Sequence, residues 1–372
     1  LVGALFLDFQ KAFDSVNQQI LLQKLSTYGV RGNCLEWFRT YLLNRRQFVV
    51  IDDAESEEAH VSHGVPQGST LGPLLFLLYI NDFHACTHSS LSYHFADDTT
   101  VFFPSNSVKK IRKAMSLQLH SILDWLAANR VSLNAKKTEL VLFRPKNKPS
   151  TTRLTIKIRG CKVFTTTKVK YLGVILDHQL QWKHHITELE KKLSMAVGLL
   201  CKLRHYVDTK TLRGLYFNLF HSHLLYGSVV WGHASQDELK KLYRLQKRAV
   251  KIITFADLHD SASPLFHRLG ILKLKDAIQL RQCELIYDWT NNHLPSAFSN
   301  YFTYKKSRKN TRLAVLPHLT IPERKTDKYG GSCMKYRGAL LHNQLLRQGI
   351  NLTMPKRAFM NTVKAMLLAS YV

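Results

Sequence analysis

Asp8, Asp97 and Asp98 are the residues of this chain best suited to metal chemistry. Asp8 lies within the apolar run Gly3-Ala-Leu-Phe-Leu-Asp-Phe9, and Asp97 and Asp98 are adjacent between the segments Ser92–Ala96 and Thr99–Phe103. A carboxylate in a buried strand is costly unless something neutralises it. Two neighbouring carboxylates raise one another's pKa unless a cation sits between them. Carboxylates, with water and phosphate oxygens, are what Mg²⁺ prefers. A strand acid upstream of a strand–turn–strand with paired acids is the donor set of a two-metal phosphoryl-transfer site. There one ion lowers the pKa of an attacking hydroxyl and both stabilise the in-line displacement. An Asp-Asp turn alone is an ordinary hairpin feature; here its weight comes from what accompanies it.

Elements must form around these acids to position them. Residues 3–9 read as a short buried strand, and 92–96 and 99–103 as two strands joined through Asp97-Asp98. Asn17 starts a helix with Ile20, Leu21 and Leu25 inward, and a second helix covers about 33–43 with Leu35, Phe38 and Leu42 on one face. Asp14 is placed to cap the helix beginning nearby. Gln47–Ile51 and Ala59–His63 form a hairpin around the acidic turn 52–58. The glycine-rich loop 64–72 leads through Pro73 into an apolar helix over 74–83, proline being favourable in a first helical turn. A helix over 107–129 and strands at 139–143, 154–158 and 169–176 follow.

After about residue 180 the pattern turns helical. Residues 182–206 carry an apolar stripe of Ile186, Leu189, Leu193, Val197, Leu200 and Leu203. Residues 209–231 are an apolar helix or helix pair. Ser235-x-x-Glu238 is a capping box opening a helix over 235–254, whose outer face carries Lys240, Lys241, Arg244, Lys247, Arg248 and Lys251. From 257 onward short helices alternate with basic loops, including the run Lys305-Lys306-Ser307-Arg308-Lys309.

The charge is lopsided. Residues 1–150 hold 16 basic and 13 acidic residues, whereas 151–372 hold 37 and 13, so nearly all of the net +27 lies in the C-terminal part. That asymmetry points to a polyanion, most simply nucleic acid. The six cysteines are scattered, with no C-x-x-C, which suits free thiols in a reducing compartment. His184-His185 reads as solvated surface on a helix rather than a metal site. No run of 18 uncharged apolar residues occurs, so neither a transmembrane helix nor a membrane partner is expected.

Three blocks occur in order: Phe6-Leu-Asp-Phe-Gln-Lys-Ala-Phe-Asp14, Gly64-Val-Pro-Gln-Gly-Ser-Thr-Leu-Gly-Pro73 and Phe95-Ala-Asp-Asp98. The sequence resembles the reverse transcriptases, most closely those of jockey-like non-LTR retrotransposons. The likeness covers nearly the whole chain and is looser after about 256. It implies an α+β fold: a polymerase palm with an antiparallel sheet packed on helices over 1–178, an α-helical thumb over 179–256 and a mostly helical, basic C-terminal region over 257–372. It implies RNA-directed DNA polymerase activity, with Asp8, Asp97 and Asp98 catalytic and, with the Phe9 carbonyl, holding two Mg²⁺ (Mn²⁺ as an alternative).

Phe13 matches the steric gate under the nucleotide sugar, which selects deoxynucleotides. Gln67 and Gly68 match a nucleotide-contacting loop; Gln67 offers both donor and acceptor, and glycine lets backbone approach a ligand. Lys137, in Asn134-Ala-Lys-Lys-Thr-Glu139, matches a lysine near the leaving pyrophosphate, and Tyr171-Leu172-Gly173 matches the primer grip. The basic 235–254 helix matches the thumb, tracking a duplex through its phosphates. Residues 321–326 (Ile-Pro-Glu-Arg-Lys-Thr) and 336–339 (Tyr-Arg-Gly-Ala) resemble the jockey-like tail, with His342-Asn343 where a Trp-Asn pair is expected. Expected partners are an RNA template, a DNA primer or target DNA, and dNTPs. Nucleus and cytoplasm are the compartments expected for an active retrotransposon protein.

In this family, fingers precede the first block and an endonuclease lies further upstream. The chain begins seven residues before Asp8, so it reads as a piece of a longer polyprotein lacking both. The alternative is an inactive fragment that keeps only nucleic-acid binding. A group II intron maturase shares the palm but not the jockey-like tail.

Overall fold

The strand around Asp8 is flanked on both sides by other strands. In the computed structural model, which describes residues 1–87, 90–146, 154–257, 259–305, 318–324 and 330–371, the chain divides into two units, Leu1–Leu180 and Gln181–Val372. The helices on either side of residue 256 belong to the same unit. The charge run 306–309 and residues 325–326 of the tail motif lie outside the described residues.

In the first unit, β1 (Val2–Leu7) is followed by helices α1 (Gln18–Thr27) and α2 (Asn33–Leu42) and short strands β2 (Arg45–Gln47), β3 (Val50–Ile51), β4 (Ala54–Glu55) and β5 (Ala59–Val61). Then come α3 (Gly72–Ile80), β6 (Leu91–Phe95), β7 (Asp98–Pro104), α4 (Val108–Ala128) and strands β8 (Glu139–Phe143), β9 (Thr155–Ile158), β10 (Cys161–Thr166), β11 (Lys168–Tyr171) and β12 (Val174–Asp177). Six strands form one sheet in the order β6-β7-β1-β8-β10-β9. β1 is antiparallel to both neighbours, and the β8–β10 pair is parallel.

β1 is apolar at nearly every position because both of its faces are covered. Side chains alternate across a strand. Leu5 and Leu7 fall in a core with Leu21 and Leu25 of α1, Tyr79 of α3 and Ile111, Met115 and Leu119 of α4. Ala4 and Phe6 fall in a separate cluster with Val141 and Val169, against which Tyr171 and Leu176 pack. Gly3 is where α4 comes nearest: a Cβ there would meet Ile111 Cγ2 at 2.6 Å and Met115 Cε at 2.8 Å. Gly3→Ala is therefore expected to cost about 1–3 kcal/mol through overpacking. In urea the midpoint falls with an unchanged slope; an unchanged midpoint means α4 yields freely.

Several expectations shift. The α1 cap is Asn17, whose Oδ1 accepts the Ile20 N–H at 3.0 Å; Asp14 does not cap it. The helix expected over 74–83 is α-helical only to Ile80 and continues as a 3₁₀ segment, Asn81–Cys86. The expected pairing of 47–51 with 59–63 is replaced by two short ladders, β2 with β5 and β3 with β4. A tight turn at Asp52-Asp53, with Asp52 at φ 53, sets the outer register; aspartate tolerates that conformation better than most residues. The strand expected over 169–176 is a hairpin. Leu172 and Gly173 both have positive φ, 45 and 79, as a two-residue type I′ turn requires. β10 adds a strand to those expected. Its signal is Arg159-Gly160, a second Xaa-Gly pair at φ 45 and 84 joining β9 to β10.

The second unit is helical: α5 (Lys183–Leu203), α6 (Thr209–Leu215), a π-helical segment Tyr216–His221, α7 (Ser222–Leu225), α8 (Ser228–Trp231), α9 (Gln236–Thr254), α10 (Ala262–Leu269), α11 (Leu274–Thr290), α12 (Met334–Arg347) and α13 (Lys356–Ala369). The α5 stripe from Ile186 to Leu200 is buried. His184 is exposed, but His185 is not the expected surface residue. It is 7% exposed, its ring 5.6 Å from that of Trp231, and burial lowers its pKa. A histidine next to the apolar stripe is drawn into the core with it. Ser235 Oγ accepts the Glu238 N–H at 3.4 Å and caps α9. Asn343 serves the structure: its side chain accepts from Leu319 N–H at 2.7 Å and donates to Leu319 O at 2.9 Å.

Candidate functional site

The strand registers bring the three aspartates together. β1 and β7 pair Leu7 with Thr99, so one step further along the same register sets Asp8 opposite Asp98. β6 and β7 pair Phe95 with Asp98, leaving Ala96-Asp97 as the two-residue turn. Ala96 sits at φ 50, a conformation that costs an L-residue energy and persists where the surroundings impose it. Asp8 is half-buried and Asp97 and Asp98 are exposed. The acids therefore occupy the rim of the sheet, not its interior as a buried strand would have them, which leaves their oxygens open to a ligand. Burial, then the charges of Asp97 and Asp8, raise the Asp98 carboxyl above its ordinary range.

Asp8 is fixed from the other side by the segment before β8. Asn134 N–H donates to Asp8 O and Gln10 N–H to Ser132 O, both at 2.8 Å, and Phe9 bridges Leu133. In this antiparallel pattern the residues flanking Phe9 make the bonds. Its own carbonyl is thus directed to the opposite edge of the strand, the side of β7. The motif containing Lys137 is in this way tied through Asn134 to the backbone of the first aspartate, a link that sequence spacing does not reveal. Lys137 itself is exposed, its N–H bonded back to Asn134.

Phe13 and the 64–73 loop form one structure. Gly64 N–H donates to Val16 O at 2.7 Å and Val65 N–H to Phe13 O at 3.0 Å. Gly64 is at φ 88, and a Cβ there would lie 3.0 Å from Asp14 Cα, so this position needs glycine. Gln67 Nε2 donates to Asp14 Oδ1 at 2.6 Å. Asp14 thus fastens the loop rather than a helix, and Gln67 spends one donor on it. Gly68, at φ 76, has open space where a Cβ would be. The half-buried Phe13 ring stacks on Phe76 with centroids 4.6 Å apart.

Tyr171 ends β11 with its ring 5.4 Å from Phe6. Burial raises its phenol pKa, and the charge of Asp98 adds to the rise. Tyr171 packs on the face of β1 that carries Ala4 and Phe6, the face to which the alternation of the strand also assigns Asp8.

No group of three or more His, Cys, Asp or Glu side chains has metal-holding geometry among the described residues. The donor set nonetheless suits a hard divalent cation: three carboxylates lie on one rim, and one of them resists ionisation, first through burial and then through the charges of the other two.

Residues 2–176 match the family model described as reverse transcriptase (RNA-dependent DNA polymerase). The N-terminal unit is a reverse transcriptase domain. The relatives it is similar to are polymerases of transposable elements. The chain is 29% identical over 283 residues to the probable RNA-directed DNA polymerase from transposon X-element of Drosophila melanogaster, covering 74% of this chain and 31% of that one. It is 28% identical over 290 residues to the RNA-directed DNA polymerase from mobile element jockey of the same species, covering 75% and 31%. The chain thus spans 31% of the length of these relatives. Among solved structures, telomerase from Candida albicans aligns over 73% of this chain and 51% of that one, at 14% identity and a TM-score of 0.40.

In the unit following the reverse transcriptase domain, the six basic residues of α9 differ in exposure. Lys240, Arg244 and Arg248 are exposed; Lys241, Lys247 and Lys251 are half-buried. Lys240 and Lys241 pair with Asp237 and Glu238 at 3.3 and 3.0 Å, and the Lys247 ammonium lies 5.2 Å from the Tyr243 ring centroid. Arg244 and Arg248 have no acidic partner among the described residues, and lie one helical turn apart. Among the described residues, no helix is long and apolar enough to cross a membrane, and all six cysteines are free thiols.

Proposed function

We propose that this chain is the polymerase part of a non-LTR element and adds deoxynucleotides to a primer 3′-hydroxyl on an RNA template. The observation that carries the reading is the register that sets Asp8 beside Asp98, with Asp97 on the adjoining turn. Asp8, Asp97, Asp98 and the Phe9 carbonyl would hold Mg²⁺, or Mn²⁺. Bound there, the ions would acidify the primer hydroxyl and stabilise charge on the transferring phosphate. Phe13, braced by Phe76, would close the space under the sugar against a 2′-hydroxyl. Gln67 and the open backbone at Gly68 would contact the nucleotide, Lys137 would face the leaving pyrophosphate, and the Tyr171–Gly173 hairpin would hold the primer end.

Residues 1–178 would serve as palm and 179–256 as thumb, with Lys240, Lys241, Arg244, Lys247, Arg248 and Lys251 along the template–primer backbone. Partners are then an RNA template, a DNA primer or target DNA, and dNTPs. Arg244 and Arg248, without an acidic partner among the described residues, would make the dominant phosphate contacts. Replacing both with alanine is expected to lower the slope of log affinity against log salt on duplex DNA by roughly 1.8. A fluorescence-anisotropy salt series measures this, and an unchanged slope removes α9 from the duplex path.

The test of the function is primer extension on an RNA template with Mg²⁺ and dNTPs. It is run on this chain and on the chain joined to the N-terminal region of a jockey polymerase, because little extension is expected from this chain by itself. Extension that vanishes with Asp98→Asn supports the reading. Extension that survives that change, or none from either form, overturns it.

A further inference from the structure

We infer that the C-terminal unit carries a second nucleic-acid site, a pocket for one unpaired nucleotide of a single strand, formed between α9, α11 and α12. A cleft of about 600 Å³ lies there, within the range of roughly 300–1,000 Å³ typical of small-ligand pockets. Its apolar surface comes from Leu274, Ile278, Leu340 and the Tyr243 ring, and Leu340 keeps 40% of its surface exposed. A flat heterocycle covers such a surface, and bases stack on aromatic rings without regard to sequence.

The polar lining indicates what the occupant's edge must offer. Gln282 is only 7% exposed and lines the cleft, yet its side-chain amide makes no hydrogen bond among the described residues. Gln246, also buried on α9, is engaged through its nitrogen alone: Nε2 donates to Tyr216 Oη at 3.1 Å and Leu272 O at 2.9 Å, while its Oε1 has no partner among the described residues. Gln279, one turn before Gln282 and also in the lining, has no partner among the described residues either. Two amides present donors and acceptors together, the complement of a nucleobase edge and a poor match to a carboxylate. His233 adds a third polar group. Its Nε2 accepts the Trp182 indole N–H at 3.1 Å, so a neutral ring carries its proton on Nδ1.

Cations complete the site. Lys275 and Arg337 line the cleft with Lys240 and Lys273, and the first turn of α11, residues 274–276, brings the positive end of a 17-residue helix. The acid in the lining, Asp276, is engaged: it accepts the Tyr371 O–H at 2.5 Å. An apolar slot with amide edges and a cationic rim suits a base with its phosphate. Of these residues, only Lys240 has a part in the proposed polymerase reaction.

The test uses this chain and a short single-stranded oligoribonucleotide, about a dozen nucleotides long, containing 4-thiouridine. Ultraviolet cross-links are expected on Tyr243 or on residues 274–282. Gln282→Met should weaken single-strand binding about tenfold, change duplex binding less than about twofold, and leave Tm unchanged or raised, because the amide has no internal partner to lose. Lys275→Glu should lower the single-strand salt slope by at least roughly 0.7. A matching oligodeoxyribonucleotide with 4-thiothymidine shows which sugar the site takes, and cross-linking of either at the cleft upholds the site. Cross-links confined to residues outside the cleft overturn it. So does a Gln282→Met protein that loses Tm while binding the strand normally, since the amide is then structural. Equal displacement of the strand by a poly-glutamate peptide overturns base recognition.

Discussion

Asp98→Asn is expected to lower primer extension on an RNA template on the order of 10³-fold while making the metal-free protein more stable. The loss would follow if Asp98 is an anionic metal ligand where charge develops in the transition state, as proposed; single electrostatic stabilisers at such positions are worth roughly 10²–10³ in rate. The gain follows from the raised Asp98 pKa, caused first by burial and then by Asp97 and Asp8. A carboxyl whose folded pKa exceeds its unfolded value binds its proton more tightly when folded. The metal-free chain therefore loses stability as pH rises above the ordinary 3.8 through the raised value. Asparagine has no proton to lose there, so the variant should melt higher than the parent at neutral pH without divalent ions, and the advantage should shrink when Mg²⁺ is added. A variant that loses activity and also melts lower without metal would show that Asp98 holds the hairpin together instead.

Phe13→Val is expected to raise ribonucleotide incorporation relative to deoxyribonucleotide by about 10- to 100-fold, within the range that steric differences in a pocket provide. Phe13 stacks on Phe76, and losing such a pair costs about 0.5–1.5 kcal/mol beyond the lost burial. The change in sugar selectivity separates the two roles. A ring that only packs would cost stability and leave the ratio of kcat/KM for the two sugars where it was. Valine, not alanine, keeps part of the packing and makes the comparison clean.

Much of this site is legible in the sequence because its acids sit at register positions that short apolar runs define. The β1, β6 and β7 segments can be read within a residue or two, and once they pair, Asp8 and Asp98 must face each other. What escapes is what long-range hydrogen bonds decide. Asn134 N–H on Asp8 O and Gln67 on Asp14 join residues far apart in sequence, and local propensity carries no trace of either. Asp14 illustrates the limit: an acid before a helix looks like a cap, but Asn17 stands nearer and takes that role. The hairpins at 172–173 and 159–160 are in principle legible from Xaa-Gly pairs between alternating strands. His185 escapes because a histidine beside an apolar stripe looks polar until Trp231 is found against it. Likewise the α9 cations read as one uniform face, whereas Asp237 and Glu238 engage two of them.

The central claim is that Asp8, Asp97 and Asp98 together form a divalent-cation centre, and titration with Mn²⁺, followed by the loss of its free electron-paramagnetic-resonance signal, tests it most directly. The parent chain is expected to bind Mn²⁺. Asp8→Asn and Asp98→Asn should each weaken binding by more than about tenfold, since even residues that only support a metal ligand cost about 10–100-fold when removed. Glu36→Gln, on the exposed face of α2, should leave it unchanged. Equal Mn²⁺ affinity in the parent and both aspartate variants would contradict the account.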